Sequence, residues 1–248
     1  MIQGAIVVTG ASRGIGAAIA LELVNRGFTV GCISRSGSMP ASSEPITQQV
    51  RDRLIVVACD VTDERALAHA LAQLARQAGG IGGLVNNAGI HREARAHELA
   101  TEDFEAVMNV NTTAVFAACR EVYPYLVDRG RGMIVNIGSF FDRLGAKGSV
   151  AYCASKAAVA AVTRCLAAEW GRRGITVLNV APGYILTDIN RVYLSDEASG
   201  SQVRARSFVK RVGEVSEIAR LVAALYVEDI PFLTGETIYV DGGHGISV

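Results

Sequence analysis

The stretch AIVVTGASRGIG, Ala5–Gly16, holds a strand, a turn and the start of a helix in twelve residues. Ala5–Thr9 is a short apolar, β-branched run that reads as a buried strand, and Gly14–Arg26 follows with helical periodicity. Between them the glycines Gly10, Gly14 and Gly16 have the spacing G-x3-G-x-G. The first glycine permits a tight turn. The second lets backbone approach a pyrophosphate, and the third lets helix and strand pack closely. The positive end of the helix favours an anion at that point. With a strand before it and a helix after it, the stretch reads as a phosphate-binding turn and not as a generic glycine loop.

The same alternation continues outward. Strands are read at Thr29–Ile33, Leu54–Ala58, Gly83–Val85, Met133–Ile137, Ile175–Val180 and Thr237–Val240. Helices are read at Asp63–Gln77, Phe104–Leu126, Ala151–Trp170 and Glu214–Tyr226. Nearly all-apolar strands separated by helices predict an α/β fold: one doubly wound, Rossmann-type parallel sheet with helices on both faces. A single domain over 1–248 is expected, with ligands at the carboxyl ends of the strands. Ser34–Pro45 is polar and rich in Ser and Pro, hence a surface loop, and Gly183–Gly213 is long enough to be a substrate lid.

Composition narrows the classes. The 248 residues include 24 basic and 24 acidic side chains, so the chain lacks the net positive charge of a sequence-independent nucleic-acid binder. Half of the residues are hydrophobic, which excludes a disordered chain. Five cysteines without CxxC spacing argue against a disulfide framework or a zinc site and for a reducing, cytoplasmic setting. The four histidines share no ligand spacing, so no metal is expected. No signal peptide is read at the start. Lys156, Arg164 and Glu169 make Ala151–Trp170 a buried or interface helix and not a membrane span.

The second strand ends in Ile33-Ser34-Arg35-Ser36, without the acidic residue that bonds a ribose 2′-hydroxyl in NAD sites. Arg35 and Arg13 are placed to flank a 2′-phosphate, with Ser34 and Ser36 as donors, so NADP(H) is preferred over NAD(H). Tyr152 and Lys156, four apart, share one helix face. An ammonium beside a phenol favours the phenolate, which suits proton exchange with an alcohol oxygen. Ser139 follows the strand Met133–Ile137 and is placed to hold a carbonyl oxygen.

Taken together, the Gly10–Gly16 turn, Asp60-Val61, Asn87-Ala88-Gly89, Asn111, Ser139, Tyr152, Lys156 and Pro182-Gly183 resemble the short-chain dehydrogenase/reductase family in order and spacing, over essentially the whole chain. The resemblance implies an NAD(P)-dependent oxidoreductase that interconverts a carbonyl and an alcohol by hydride transfer. It implies that Tyr152 is the general acid/base, that Lys156 lowers its pKa and bonds the nicotinamide ribose, and that Ser139 polarises the carbonyl. Asn111 matches the asparagine that distorts a helix and holds a water on the proton path; Asn109, two residues earlier, aligns less well. The cofactor contacts implied are Gly10, Ser12, Arg13, Gly14, Ile15 and Gly16 at the phosphates. Ser34, Arg35, Asp60, Val61, Asn87, Ala88 and Gly89 belong to the adenosine side. Tyr152, Lys156, Pro182, Gly183, Ile185 and Thr187 belong to the nicotinamide side. Asp60 also fits a plain helix cap.

For the substrate, Ser139, Phe141, Tyr152 and Tyr184 are the expected contacts, with Phe140, Arg143 and His91 as further wall residues. The tail Leu233–Gly243 resembles 3-oxoacyl-acyl-carrier-protein reductases, which implies an acyl thioester on a carrier protein and a role in fatty acid biosynthesis. On that reading Arg129, Arg131, Arg172 and Arg173 form a docking surface; otherwise they cap helix ends. Sugar, polyol and other secondary-alcohol dehydrogenases share the tail, which keeps an NAD(H)-linked dehydrogenase open. A non-catalytic nucleotide-binding scaffold is disfavoured by the intact Ser139, Tyr152 and Lys156. The family also implies a homotetramer.

Overall fold

The computed structural model describes residues 3–187 and 196–247. Seven strands, β1 (Ala5–Thr9), β2 (Val30–Ser34), β3 (Leu54–Ala58), β4 (Ile81–Asn86), β5 (Gly132–Ile137), β6 (Ile175–Pro182) and β7 (Thr237–Val240), form one sheet in the order β3-β2-β1-β4-β5-β6-β7. Every neighbouring pair is parallel. The order reverses between β1 and β4, which opens a crevice at their carboxyl ends.

Successive side chains of a strand point to opposite faces, and the two cores follow from this. Ile6 and Val8 pack with Leu23 of α1 (Gly14–Asn25) and with Ile218, Val222 and Tyr226 of α8 (Val215–Glu228). Val7, between them, packs on the other side. There it joins Leu71 of α3 (Glu64–Ala78), Cys119 of α5 (Ala114–Asp128) and Val159 of α6 (Val150–Trp170). This double burial is why the strands lack polar alternation. By length and composition α6 with the turn after it is apolar enough to cross a membrane, yet it lies packed against β6, with Lys156 and Leu166 buried.

Four expectations need correction. The helix read as Phe104–Leu126 is broken: α4 (Thr101–Met108) passes through a π-helical turn, Asn109–Thr113, before α5 begins. Hydrophobic periodicity does not register one inserted residue, and the cause lies in the side chain of Asn111 described below. One turn of helix, α2 (Gln48–Arg51), follows the Ser/Pro loop. The segment read as an unstructured lid contains α7 (Glu197–Arg206); the part of that expectation falling on 188–195 lies outside the described residues. The cap of α3 is Asp63, whose carboxylate accepts from Ala66 N at 3.0 Å, and not Asp60.

Candidate active site

The site is built where seven parallel strands end. The Gly10 turn leaves β1, Ser34 ends β2, Asp60 lies past β3, Asn87 past β4, Ser139 past β5 and Gly183 past β6. Gly10 and Gly14 adopt φ of +67° and +58°, open to glycine at little cost. A Cβ on Gly16 would run into the Gly10 carbonyl and the Asn87 carboxamide. Asn87 holds this turn: its Nδ2 donates to the carbonyls of Thr9 at 3.1 Å and Gly10 at 3.2 Å. In return the Thr9 hydroxyl accepts from the backbone N–H groups of Asn87 at 3.0 Å and Ala88 at 3.1 Å. Thr9 was not singled out from sequence, although a hydroxyl ending an apolar strand was a visible signal. No side chain caps α1 and its first turn holds no acidic residue, so its positive end is left for an anion. These features fit a dinucleotide pyrophosphate.

At the adenosine end Ser34 is buried, its hydroxyl 3.4 Å from that of Ser36, which accepts from Ser38 Oγ at 2.8 Å. Arg13 and Arg35 are exposed beside this serine cluster. The Asp60 carboxyl lies below the ordinary range, through hydrogen bonds from Thr62 N at 3.0 Å and Thr62 Oγ1 at 2.8 Å and, more weakly, the charge of Arg35. Val61 is buried beneath it.

Ser139 starts a 3-10 turn, Phe140–Asp142, and its hydroxyl accepts from Phe141 N at 3.3 Å. Gly138, before it, packs so tightly on Asn179 that a side chain there would displace the turn. The Ser139 hydroxyl lies beside the Tyr152 phenol and acts to lower its pKa. Lys156 is 5% exposed; its ammonium donates to the Ile137 carbonyl at 2.8 Å and lies 5.6 Å from the Tyr152 ring centre. Burial brings Lys156 down to about 8. Burial also raises the Tyr152 phenol above its ordinary value, and the Ser139 hydroxyl only partly offsets this. The sequence led us to expect Lys156 to lower it. With the ammonium turned to Ile137, desolvation is the larger effect and the phenol is protonated at neutral pH.

Asn111 is fully buried, whereas Asn109 is exposed. The Asn111 carboxamide accepts from Ile90 N at 2.8 Å and donates to Ile90 O at 2.9 Å and to Ser155 Oγ at 3.0 Å. Ser155 in turn donates to the Tyr152 carbonyl at 2.7 Å. Holding both Ile90 and α6 draws the Asn111 backbone out of α-helical register, which accounts for the π turn. Ser155 is a supporting residue that sequence gave no means to single out.

Phe141, Phe140 and Tyr184 form a wall beside Tyr152, with ring centres 4.4–6.4 Å apart. His244 closes one end against Tyr184 at 5.5 Å, and His91 closes the other against Tyr152 at 4.9 Å. Pro182 ends β6, Gly183 N donates to Val240 O at 3.0 Å, and Ile185 pairs with Gly213, tying the base of the 184–213 segment. Thr187 comes within 3.8 Å of a Cβ placed on Gly14, so the segment expected at the nicotinamide reaches the phosphate turn. Under α7 opens a cleft of about 350 Å³, lined among others by Tyr184, Arg211, Glu217, Tyr239, Asp241 and His244.

The expected arginine docking surface is not at this mouth. Arg129 and Arg131 precede β5, and Arg172 and Arg173 precede β6, at the amino edge of the sheet. Strands of six residues at ~3.3 Å per residue separate them from the site by roughly 20 Å. Arg129 instead donates to Gly79 O at 2.6 Å at the end of α3, and Arg131 pairs with Asp229.

A family model described as enoyl-(acyl carrier protein) reductase matches residues 10–245. The 3-oxoacyl-[acyl-carrier-protein] reductase FabG of Haemophilus influenzae is 36% identical, over 98% of each chain. Gluconate 5-dehydrogenase of Gluconobacter oxydans is 34% identical, over 98% of this chain and 94% of that protein. The crystal structure of a gluconate 5-dehydrogenase from Burkholderia cenocepacia, in complex with NADP and tartrate, superposes with a TM-score of 0.90 at 29% identity, covering 100% of this chain and 97% of that one.

Proposed function

Because this chain belongs to the short-chain dehydrogenase/reductase family, and its relatives are dehydrogenases and reductases, we propose that it is an NADP(H)-dependent enzyme reducing a small-molecule carbonyl to a secondary alcohol. The observation that carries this reading is Tyr152 beside Ser139 at the carboxyl end of β5, with the buried Lys156 ammonium 5.6 Å from the Tyr152 ring centre. The nicotinamide, when bound, supplies the hydride to the carbonyl carbon. Ser139 and Tyr152 hold the carbonyl oxygen, and the protonated phenol gives it a proton as the new C–H bond forms. Oxidation of the alcohol reverses both transfers. Lys156 sets the charge around the phenol, and Asn111, through Ser155, fixes the helix carrying both.

Arg35, Arg13 and the serine cluster support NADP(H), with the neighbour bound to NADP in the same fold as further support. Replacing Arg35 by Asp places a carboxylate where a 2′-phosphate of about two negative charges is received, beside Asp60. NADPH binding should weaken at least about tenfold relative to NADH, read by cofactor fluorescence. An unchanged ratio of the two dissociation constants removes Arg35 from cofactor selection.

Lys156 gives a pH prediction. Its folded value of about 8 lies below the ordinary 10.5, so the ammonium is present below pH 8 and lost above it. If its charge is required, kcat/KM for carbonyl reduction is level near pH 7 and declines above about 8. A profile still level at pH 9.5 excludes that requirement.

Two substrate readings follow. The relatives named 3-oxoacyl-[acyl-carrier-protein] reductase support an acyl thioester, free or on acyl carrier protein. The relative named gluconate 5-dehydrogenase supports a hydroxylated substrate, as in a sugar or polyol dehydrogenase, with NAD(H) as the alternative cofactor. A panel of carbonyls and alcohols read at the cofactor absorbance separates them. We further propose a single domain, a lid over about 184–213, a cytoplasmic homotetramer, and the exposed Phe116 and Phe232 as parts of its contacts.

A further inference from the structure

We propose that His91 is a fourth side chain of the reaction site, and that it selects substrates carrying a hydroxyl on the carbon next to the one that reacts. The inference rests on the carbonyl–alcohol reading above. His91 follows the Asn87-Ala88-Gly89 turn, and its segment is held at three points. Both backbone polar groups of Ile90 are clamped by Asn111. Ala94 N donates to Gly148 O at 3.0 Å. The third point is His91 Nε2 itself, 3.0 Å from the hydroxyl of buried Ser149, at the start of α6. The imidazole therefore does not drift with the loop. Its ring stands edge-to-face on Tyr152, centres 4.9 Å apart at 69°.

Nδ1 has no hydrogen-bond partner among the described residues, and His91 is exposed. A neutral imidazole with Nε2 taken by a hydroxyl presents Nδ1 as a donor or an acceptor, depending on the tautomer. Partial burial keeps this imidazole below its ordinary pKa, so it is neutral at pH 7.5. A substrate hydroxyl can accept or donate and so satisfies either tautomer; a methylene satisfies neither. With the reacting oxygen held at Ser139 and Tyr152, the substituent that reaches a ring standing on Tyr152 belongs to the neighbouring carbon. At the far end of the aromatic wall His244 adds a second imidazole to the lining, while the Tyr239 hydroxyl is taken by Asp142 and the Asp241 carboxylate by Gly243 N and Gly245 N. Vicinal diols and α-hydroxy ketones fit this lining. A 3-oxoacyl thioester carries methylenes beside its reacting carbonyl and does not.

The test compares acetoin with butan-2-one, and butane-2,3-diol with butan-2-ol, at pH 7.5 with NADP(H). The expected wild-type result is a preference of at least tenfold in kcat/KM for the hydroxylated member of each pair. In His91→Phe, which keeps a ring on Tyr152, that preference should fall at least tenfold, chiefly through KM for the hydroxylated member. His91→Gln, which restores a donor and an acceptor, should recover part of it. A merely structural role lowers both members by one factor and leaves the ratio intact, which overturns the proposal. So does a wild type that turns over acetoacetyl-CoA but neither hydroxylated probe. If acetoacetyl-CoA and all four probes are inert, the carbonyl–alcohol reading falls with it, and NADPH binding still shows whether the cofactor site stands.

Discussion

Tyr152→Phe is expected to lose at least about a hundredfold in kcat, ~2.7 kcal/mol of barrier, while binding NADPH nearly as wild type does. The phenol lies beside Ser139, and burial keeps it protonated at neutral pH. Phenylalanine retains the ring packed between His91 and Phe141 and removes only the oxygen. Ser139 loses one neighbour but keeps the hydrogen bond from Phe141 N, so stability should change by no more than about 1 kcal/mol. Stopped-flow or steady-state turnover, paired with a cofactor titration and a melting curve, separates chemistry from folding. Turnover within threefold of wild type would mean that the proton comes from elsewhere, and the assignment of Ser139 and Lys156 would fail with it.

Much of this was legible in the sequence because the relevant signals are local. Four apolar residues ending in Thr9, three glycines at fixed spacing and a helical period determine β1, the turn and α1 without reference to the rest of the chain. The doubly wound parallel sheet was legible only by rule, and the rule held because parallel crossovers have one hand, while the strand order itself was not read. What stayed hidden depends on contacts between distant residues. The π turn arises from Asn111 reaching Ile90 and Ser155, 21 and 44 positions away, and no window of the sequence holds all three. Residue spacing places Lys156 near the phenol but does not reveal that its ammonium donates to Ile137 O, or that burial raises the Tyr152 phenol. The four arginines were assigned to the mouth because charge is visible in sequence, whereas the edge of the sheet it occupies is not.

One pattern was in plain view and went unread. Asn86, Asn136 and Asn179 interrupt otherwise apolar strands, and they stand in register across β4, β5 and β6. Asn86 Nδ2 donates to Asn136 Oδ1 at 2.9 Å, Asn136 Nδ2 to Thr163 Oγ1 at 2.9 Å, and Asn179 Nδ2 to Thr237 Oγ1 at 3.1 Å. A polar row buried just below the site links α6, which carries Tyr152 and Lys156, to the strand that ends at Ser139. Carboxamides paired in this way hold one arrangement against its neighbours, since slipping a strand leaves them unpaired, although the buried Asn179 Oδ1 already has no partner.

Gly16→Ala should have the other large effect, and on two readouts at once. Its Cβ would enter the space of the Gly10 carbonyl and the Asn87 carboxamide. Neither can yield cheaply. Gly10 is held at φ +67° and lies so near Ala88 that a Cβ on it would come within 2.9 Å of the Ala88 Cα. Asn87 is committed to the carbonyls of Thr9 and Gly10. The added methyl therefore parts the clasp joining the ends of β1 and β4. Overpacking of this kind costs ~1–3 kcal/mol, a melting shift of about 2–4 °C per kcal/mol for a chain of this size. The start of α1 moves with it, so NADPH binding should weaken at least about tenfold. Gly14→Ala is the control. Its φ of +58° strains alanine by ~1–2 kcal/mol, yet its Cβ would meet only Thr187 Cγ2 at 3.8 Å. The order of damage to cofactor binding should be Gly16→Ala above Gly14→Ala. A Gly16→Ala protein that binds NADPH as tightly as wild type would show that the turn does not carry the phosphates, and the dinucleotide site would have to be sought elsewhere.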